Sequence, residues 1–372
     1  MNQGEFSRSP ARDAFAAATA LLLAGGAQTG VAAADEACDR SGAKGAYCGL
    51  PNPEDLEVIP GGKAVIVSDM RVVRTAAGLG GAQGVLKLLN PQSGAVTPLY
   101  PAGSAGAASK AWGDPACPGE IGPALLPHGI HLSRRADGRQ QLLVVNHGGR
   151  ESVEFFELAR RGGEWTLAWR GCIVPPGTNR LNDVAGLSGG GLVVTHMGSN
   201  RPAESGDKGH VWRWTPKAGF ERIATPGLDR PNGIQTDARG RFAYVSSAAG
   251  GGTLGKLDLK GGRVVGTVAV PNPDNTAWTR DGQLLVTGMT PAGRAVDCFR
   301  TPAVTCPAEF EVYAVTPGTM RAERLLLQQG APMGAGTVAV QLGRNMLIGS
   351  FAGDRVMLWR DAFAPHGGAG KR

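Results

Sequence analysis

The sequence predicts an all-β chain folded as a six-bladed β-propeller. Three observations predict it. One hairpin pattern is written six times, at a spacing of roughly 45–75 residues, the range of propeller blades. The chain of 372 residues holds 58 Gly and 25 Pro, with only 19% charged and 6% aromatic residues, which suits many short strands joined by tight turns. Outside the N-terminal segment, no stretch of normal helix length carries a 3.6-residue apolar period.

The six stretches are "PEDLEVIPGGKAVIVSDM" from Pro53, "PHGIHLSRRADGRQQLLVVNHG" from Pro127, "LNDVAGLSGGGLVVTHMG" from Leu181, "PNGIQTDARGRFAYVSSA" from Pro231, "PDNTAWTRDGQLLVTGM" from Pro273 and "GTVAVQLGRNMLIGSF" from Gly336. Each opens on polar or small residues and continues with a few apolar ones. A Gly-containing turn follows, then an apolar strand, which is the signature of a hairpin. Further strands fit between them: "GVLKLLN", "SVEFFEL", "HVWRWTP", "TLGKLDL", "EFEVYAV" and "RVMLWRD".

Residues 1–34 read as a secretory signal. Arg8 and Arg12 precede an apolar core at 15–27, and "VAAAD" offers a cleavage site after Ala34. That core is shorter than the roughly 20 apolar residues a membrane span needs. The expected organisation is a signal at 1–34, a propeller at 35–365 and a flexible tail at 366–372. Export to the periplasm or the exterior follows, with no stable membrane span after cleavage. All six Cys (38, 48, 117, 172, 298, 306) lie after the signal, which favours disulfides in an exported chain. Cys38/Cys48 and Cys298/Cys306 are the simplest local pairs and leave Cys117 with Cys172, one of 15 connectivities six Cys allow. The net charge of +7 is scattered, with no basic run longer than two residues and no aromatic interleaving. That is a solvated basic surface, and nucleic-acid binding is not expected.

The first strand of each blade lines a propeller's central channel. The polar residues opening the hairpins therefore converge near the axis: Glu54 and Asp55, His128, Asn182 and Asp183, Asn232, then Asp274 and Asn275. Carboxylates sharing so small a space need compensation, and a hard cation supplies it. Ca²⁺ takes 6–8 oxygen ligands, and donors made of oxygen argue against zinc or copper. Three other motifs are set aside. "GLSGG" at 186–190 places Ser188 in a hairpin turn, not on a nucleophile elbow. "GGGTLGK" from Gly250 runs into a strand, not a helix. "HGIH" splays His128 and His131, which disfavours zinc, although His131 competes with His128 as a base. Trp212 and Trp214 alternate along a strand and read as packing.

At these residues the sequence resembles the serum paraoxonase/arylesterase family of calcium-dependent six-bladed lactonases. It is more distantly similar to gluconolactonase and strictosidine-synthase-like propellers. The stretches that carry the resemblance are "EDLEVIP", "PHGIHLS", "LLVVNHGGRESVEFFEL", "LNDVAGL", "PNGI", "PDNTAWT" and "GTVAVQLGRNMLIGS", in family order over about residues 49 to 360. The resemblance implies a catalytic Ca²⁺ held by Glu54, Asn182, Asn232, Asp274 and Asn275, and a structural Ca²⁺ held by Asp55, Asp183 and the carbonyl of Ile130. It places His128, with His147 behind it, as a histidine dyad. The chain departs from the family in three places: "RVMLWRD" lacks the Cys of the long-range disulfide, "HMGSN" at 196–200 replaces an acidic and a His residue, and Thr290 stands near an expected pocket His.

The expected function is therefore a calcium-dependent hydrolase acting on a small lactone or ester, with water activated by His128. The alternatives are a non-catalytic calcium-stabilised propeller that binds a partner, and a strictosidine-synthase-like enzyme on the same fold.

Overall fold

The computed structural model describes residues 38, 40–71, 73–75, 78–80, 84–101, 109–110, 112–199, 205–300, 305–330 and 332–364. The expected signal at 1–34 and the tail at 366–372 lie outside these residues.

Six antiparallel four-stranded sheets make up the fold, as the repeats predict. Blade 1 holds β2 (Pro53–Val58), β3 (Val65–Asp69), β6 (Val85–Leu89) and β7 (Val96–Tyr100), with a small ribbon of β4 (Val73–Thr75) and β5 (Gly78–Gly80) between β3 and β6. Blade 2 holds β8 (Pro127–Arg134), β9 (Gln140–Asn146), β10 (Ser152–Arg161) and β11 (Glu164–Ile173). Blade 3 holds β12 (Leu181–Gly186), β13 (Leu192–His196), β14 (His210–Thr215) and β15 (Gly219–Ile223). Blade 4 holds β16 (Pro231–Thr236), β17 (Phe242–Ser247), β18 (Thr253–Asp258) and β19 (Arg263–Ala269). Blade 5 holds β20 (Pro273–Trp278), β21 (Leu284–Met289), β22 (Phe310–Thr316) and β23 (Arg321–Gln328). Blade 6 holds β24 (Gly336–Leu342), β25 (Asn345–Ser350), β26 (Arg355–Trp359) and, at its outer edge, β1 (Lys44–Cys48).

The inner strands β2, β8, β12, β16, β20 and β24 each contact the next, and β24 returns to β2. The N-terminal strand closes the ring: β1 pairs with β26 from Lys44↔Trp359 to Cys48↔Arg355. The sequence reading did not place β1, because "KGAYC" is too short and mixed to announce a strand.

Six apolar clusters fill the six gaps between neighbouring blades. In β9, Leu142 and Val144 face blade 1 while Leu143 and Val145 face blade 3. The period-2 alternation of a strand sends successive side chains to opposite faces. A blade is covered on both faces, so its middle strands read as unbroken apolar runs such as "LLVV". Burying each such Val or Leu contributes about 1.5–3 kcal/mol.

The three disulfides join Cys38 to Cys48, Cys117 to Cys172 and Cys298 to Cys306, the simplest pairing of the sequence. Ser188 lies in the turn between β12 and β13, and Gly250 in the turn before β18, as expected. The helix α1 (Pro291–Arg294) is a single turn capped by Thr290, whose Oγ1 accepts from the Gly293 N–H. No helix among the described residues is long and apolar enough to cross a membrane.

Candidate functional site

Every inner strand carries one extra residue near its start. The register runs Pro53↔Asp69 then Asp55↔Ser68 in blade 1, Pro127↔Asn146 then Ile130↔Val144 in blade 2, and Leu181↔His196 then Val184↔Val194 in blade 3. The same slip recurs at Pro231/Ile234, Pro273/Thr276 and Gly336/Val338. A bulge leaves a residue unpaired and re-aims side chains. Its residues are the ones the sequence singled out: Glu54, His128, Asn182 and Asp183, Asn232, Asp274 and Asn275.

"PHGI" and "PNGI" acquire a physical reason here. A Cβ on Gly129 would lie 2.5 Å from Asp183 Oδ1 and 2.6 Å from the Asn182 carbonyl. A Cβ on Gly233 would lie 2.4 Å from the Asp274 carbonyl. Only glycine lets these inner strands come so close to the polar pair of the next blade.

The structure links several of the predicted residues side chain to side chain. The Asn275 Nδ2 donates to Glu54 Oε1 at 2.8 Å, and Asn232 hydrogen-bonds the Asp274 carboxylate. The Asn182 Nδ2 lies 3.3 Å from Met197 Sδ. These amide nitrogens thus have neighbours, whereas four oxygens have none: Glu54 Oε2, Asn182 Oδ1, Asn232 Oδ1 and Asn275 Oδ1 are buried without a hydrogen-bond partner. Burial pushes the Glu54 carboxyl up to about 7. Burial first, and then the Glu54 charge, pushes Asp274 up to about 8.

Asp55 and Asp183 form a matched pair. Asp55 Oδ1 accepts from its neighbour's Leu56 N–H and Oδ2 from the Ile130 N–H of blade 2, at 2.8 and 2.7 Å. Asp183 does the same with Val184 and with Ile234 of blade 4, both at 2.7 Å. Each carboxylate thereby ties its blade to the next. Burial holds both well above the ordinary aspartate range, and neighbouring carboxylates reinforce it; Asp183 feels Asp55 next, and Asp55 feels Glu54. Ile130 is brought against Asp55 through its N–H.

His128 and His147 meet as expected. His128 Nδ1 is 2.9 Å from His147 Nε2, and His128 Nε2 is 3.5 Å from Glu54 Oε1. The chain continues to a residue the sequence reading missed. His147 Nδ1 is 2.9 Å from Glu151 Oε2, and Glu151 Oε1 accepts from the N–H of Leu181, which precedes Asn182. The signal available was a Glu four residues after His147, but in a loop that spacing has no fixed meaning. Asn146 builds the loop: its Oδ1 accepts from the N–H groups of Leu126 and Gly148, and its Nδ2 donates to Gly148 O, Arg150 O and Ser152 Oγ. Burial lowers the His128 pKa, against the charges of Asp274 and Glu151, which raise it.

His131 stands apart from this chain. Its Nδ1 lies 3.6 Å from Glu57 Oε1 and 3.4 Å from Gln235 Nε2, and burial takes it down to about 4. Trp214 is buried and Trp212 packs beside it in the cluster between blades 2 and 3, so both serve packing.

No protein-family model and no curated protein matches this chain. Among solved structures, it is similar to a gluconolactonase from Xanthomonas campestris, at 15% identity and a TM-score of 0.50, covering 85% of this chain and 88% of that one. It also matches a putative 6-phosphogluconolactonase from Bacteroides fragilis, at 14% identity and a TM-score of 0.44, covering 80% and 76%. A third match is the β-propeller domain of Cps50 (Swd1) from Myceliophteria thermophila, at 11% identity and a TM-score of 0.47, covering 84% of each chain. At these identities the likeness concerns the fold.

Proposed function

We propose that the chain is a calcium-dependent hydrolase of lactones or esters. The observation that carries the proposal is the set of four buried, unpartnered oxygens on Glu54, Asn182, Asn232 and Asn275, beside the His128–His147 pair. Leaving a buried polar atom unpaired costs about 1–3 kcal/mol. Four such atoms at the inner-strand bulges of blades 1, 3, 4 and 5, all hard oxygen donors, with the Asp274 carboxylate bonded to Asn232, fit Ca²⁺. Asp55, Asp183 and the Ile130 carbonyl would hold a second, structural Ca²⁺. The ordered motifs of the sequence and the propeller fold support the same reading.

When bound, the metal supplies Lewis-acid polarisation of a carbonyl and stabilisation of the oxyanion that forms. The chain's own residues handle the proton. The Glu151 carboxylate accepts from His147 Nδ1–H, which leaves His147 Nε2 to accept from His128 Nδ1–H. That tautomer exposes the lone pair of His128 Nε2 on the side of Glu54. Burial keeps His128 neutral at pH 7, so it can take a proton from water. Glu151 acts as a positioning residue, as the third member of a triad orients its base.

Three disulfides fit an oxidising compartment, in line with export. The test is an assay of purified protein on phenyl acetate and a panel of lactones, with and without a chelator. Hydrolysis lost on chelation and restored by Ca²⁺ supports the proposal. A folded, calcium-loaded protein inert on the whole panel would replace it with the binding-module reading.

A further inference from the structure

We propose that His196, Asp207 and His210 in blade 3 bind a transition-metal ion of the Zn²⁺ class. His196 ends β13, His210 opens β14, and the two face each other in register. The connection between them returns Asp207 to the pair. One ligand atom from each residue lies within 4.8 Å of the others. The two imidazole rings are 4.7 Å apart and inclined at 49°.

The second observation is His210 itself. It is 6% exposed, and neither ring nitrogen has a hydrogen-bond partner. Trp212 covers the ring at 4.7 Å. A buried imidazole with two idle nitrogens is costly unless something binds it. His196 is equally buried, while Asp207 is partly exposed.

Without an ion, His196 Nε2 is 2.9 Å from Asp207 Oδ2, and His196 Nδ1 accepts from the Arg180 N–H at 3.0 Å. The neutral ring therefore carries its proton on Nε2 and donates it to Asp207. Ligation through Nε2 moves that proton to Nδ1 and opens the Arg180 contact. The loss of two hydrogen bonds, to Asp207 and from Arg180, is small against the affinity of an ion-binding site with two imidazoles and a carboxylate. Two nitrogens and one carboxylate oxygen suit Zn²⁺, Co²⁺ or Ni²⁺ and not Ca²⁺. The axial oxygens make the opposite choice, so the protein sorts hard from borderline ions between two places. An ion here also fastens Asp207 to the blade whose Met197 touches the axial Asn182.

The experiment titrates Co²⁺ into full-length, calcium-saturated protein and follows the visible absorption of the ion. The expected result is a saturable band that excess Ca²⁺ does not remove, with Zn²⁺ displacing it. Asp207→Asn and His210→Gln should each weaken Co²⁺ binding roughly 100-fold, because losses in the surrounding shell alone cost 10–100-fold. Circular dichroism checks that each variant folds; Asp207 is partly exposed, so its variant keeps the test decisive if His210→Gln does not fold. Absence of a band, a band abolished by Ca²⁺, or an affinity unchanged in Asp207→Asn would each overturn the assignment.

Discussion

An asparagine at the start of a buried strand is stable only if its amide is used. Asn182, Asn232 and Asn275 each engage a neighbour through nitrogen and leave the oxygen unpaired. Their shared phase in the repeats made them legible in the sequence, as were Glu54, Asp274 and the two histidines. Glu151 was not, because a loop residue's partner depends on how the loop closes. Replacing Glu151 by Gln should lower kcat about 100-fold with KM and calcium stoichiometry unchanged, since positioned proton transfer contributes about 10²–10⁴-fold. A carboxylate accepts at both oxygens, whereas Gln offers one acceptor for the two donors, His147 Nδ1–H and Leu181 N–H. His128→Gln, with calcium retained, should remove most turnover; unchanged turnover would take His128 out of the mechanism. The carboxyls set a pH dependence. Glu54 and Asp274 rise to about 7 and about 8 on folding, so the metal-free native state holds more protons than the unfolded chain between about pH 4 and pH 8. Stability of the metal-free protein should therefore fall as pH rises through that window. Calcium affinity should rise over the same window, because fewer protons compete. Thermal melts and calorimetry across pH 5 to pH 8 check both signs.

Among the elements, inner and middle strands were read correctly and outer ones were not. The strand β19 shows only exposed and half-buried residues, and β7 contains a Pro, so neither displays the apolar run of a blade's interior. Their place follows from pairing with a neighbour, which a single sequence does not display. The bulges were also invisible as bulges, although their polar residues were not. Gly233 offers a test at this scale. Gly233→Ala forces a methyl group against the Asp274 backbone and should destabilise the protein by about 1–3 kcal/mol, the range for overpacking. It should also weaken calcium binding, since Asp274 and Asn275 must shift. Urea melts with and without Ca²⁺ measure both effects.

At the scale of the molecule, the ring has a rhythm of two blades. Blades 1, 3 and 5 present the paired polar residues Glu54–Asp55, Asn182–Asp183 and Asp274–Asn275. Blades 2 and 4 answer with a glycine and an Ile N–H that donates to the Asp of the preceding blade, and blade 6 with Thr337, whose Oγ1 donates to the Glu54 carbonyl. The acids on the axis are thus also the clasps between blades, and calcium binding should stabilise the whole ring. Chelation should lower the melting temperature by several degrees, as a loss of a few kcal/mol would in a protein of this size. The N-terminal strand β1, paired with β26, holds the ring where the last blade meets the first. The most direct measurement is a crystal structure with the metal identified by anomalous scattering. The account predicts a Ca²⁺ peak on the axis, about 2.3–2.6 Å from the unpartnered oxygens of Glu54, Asn182, Asn232 and Asn275. A folded protein with no peak there, and with those three amides turned away from one another, would contradict it.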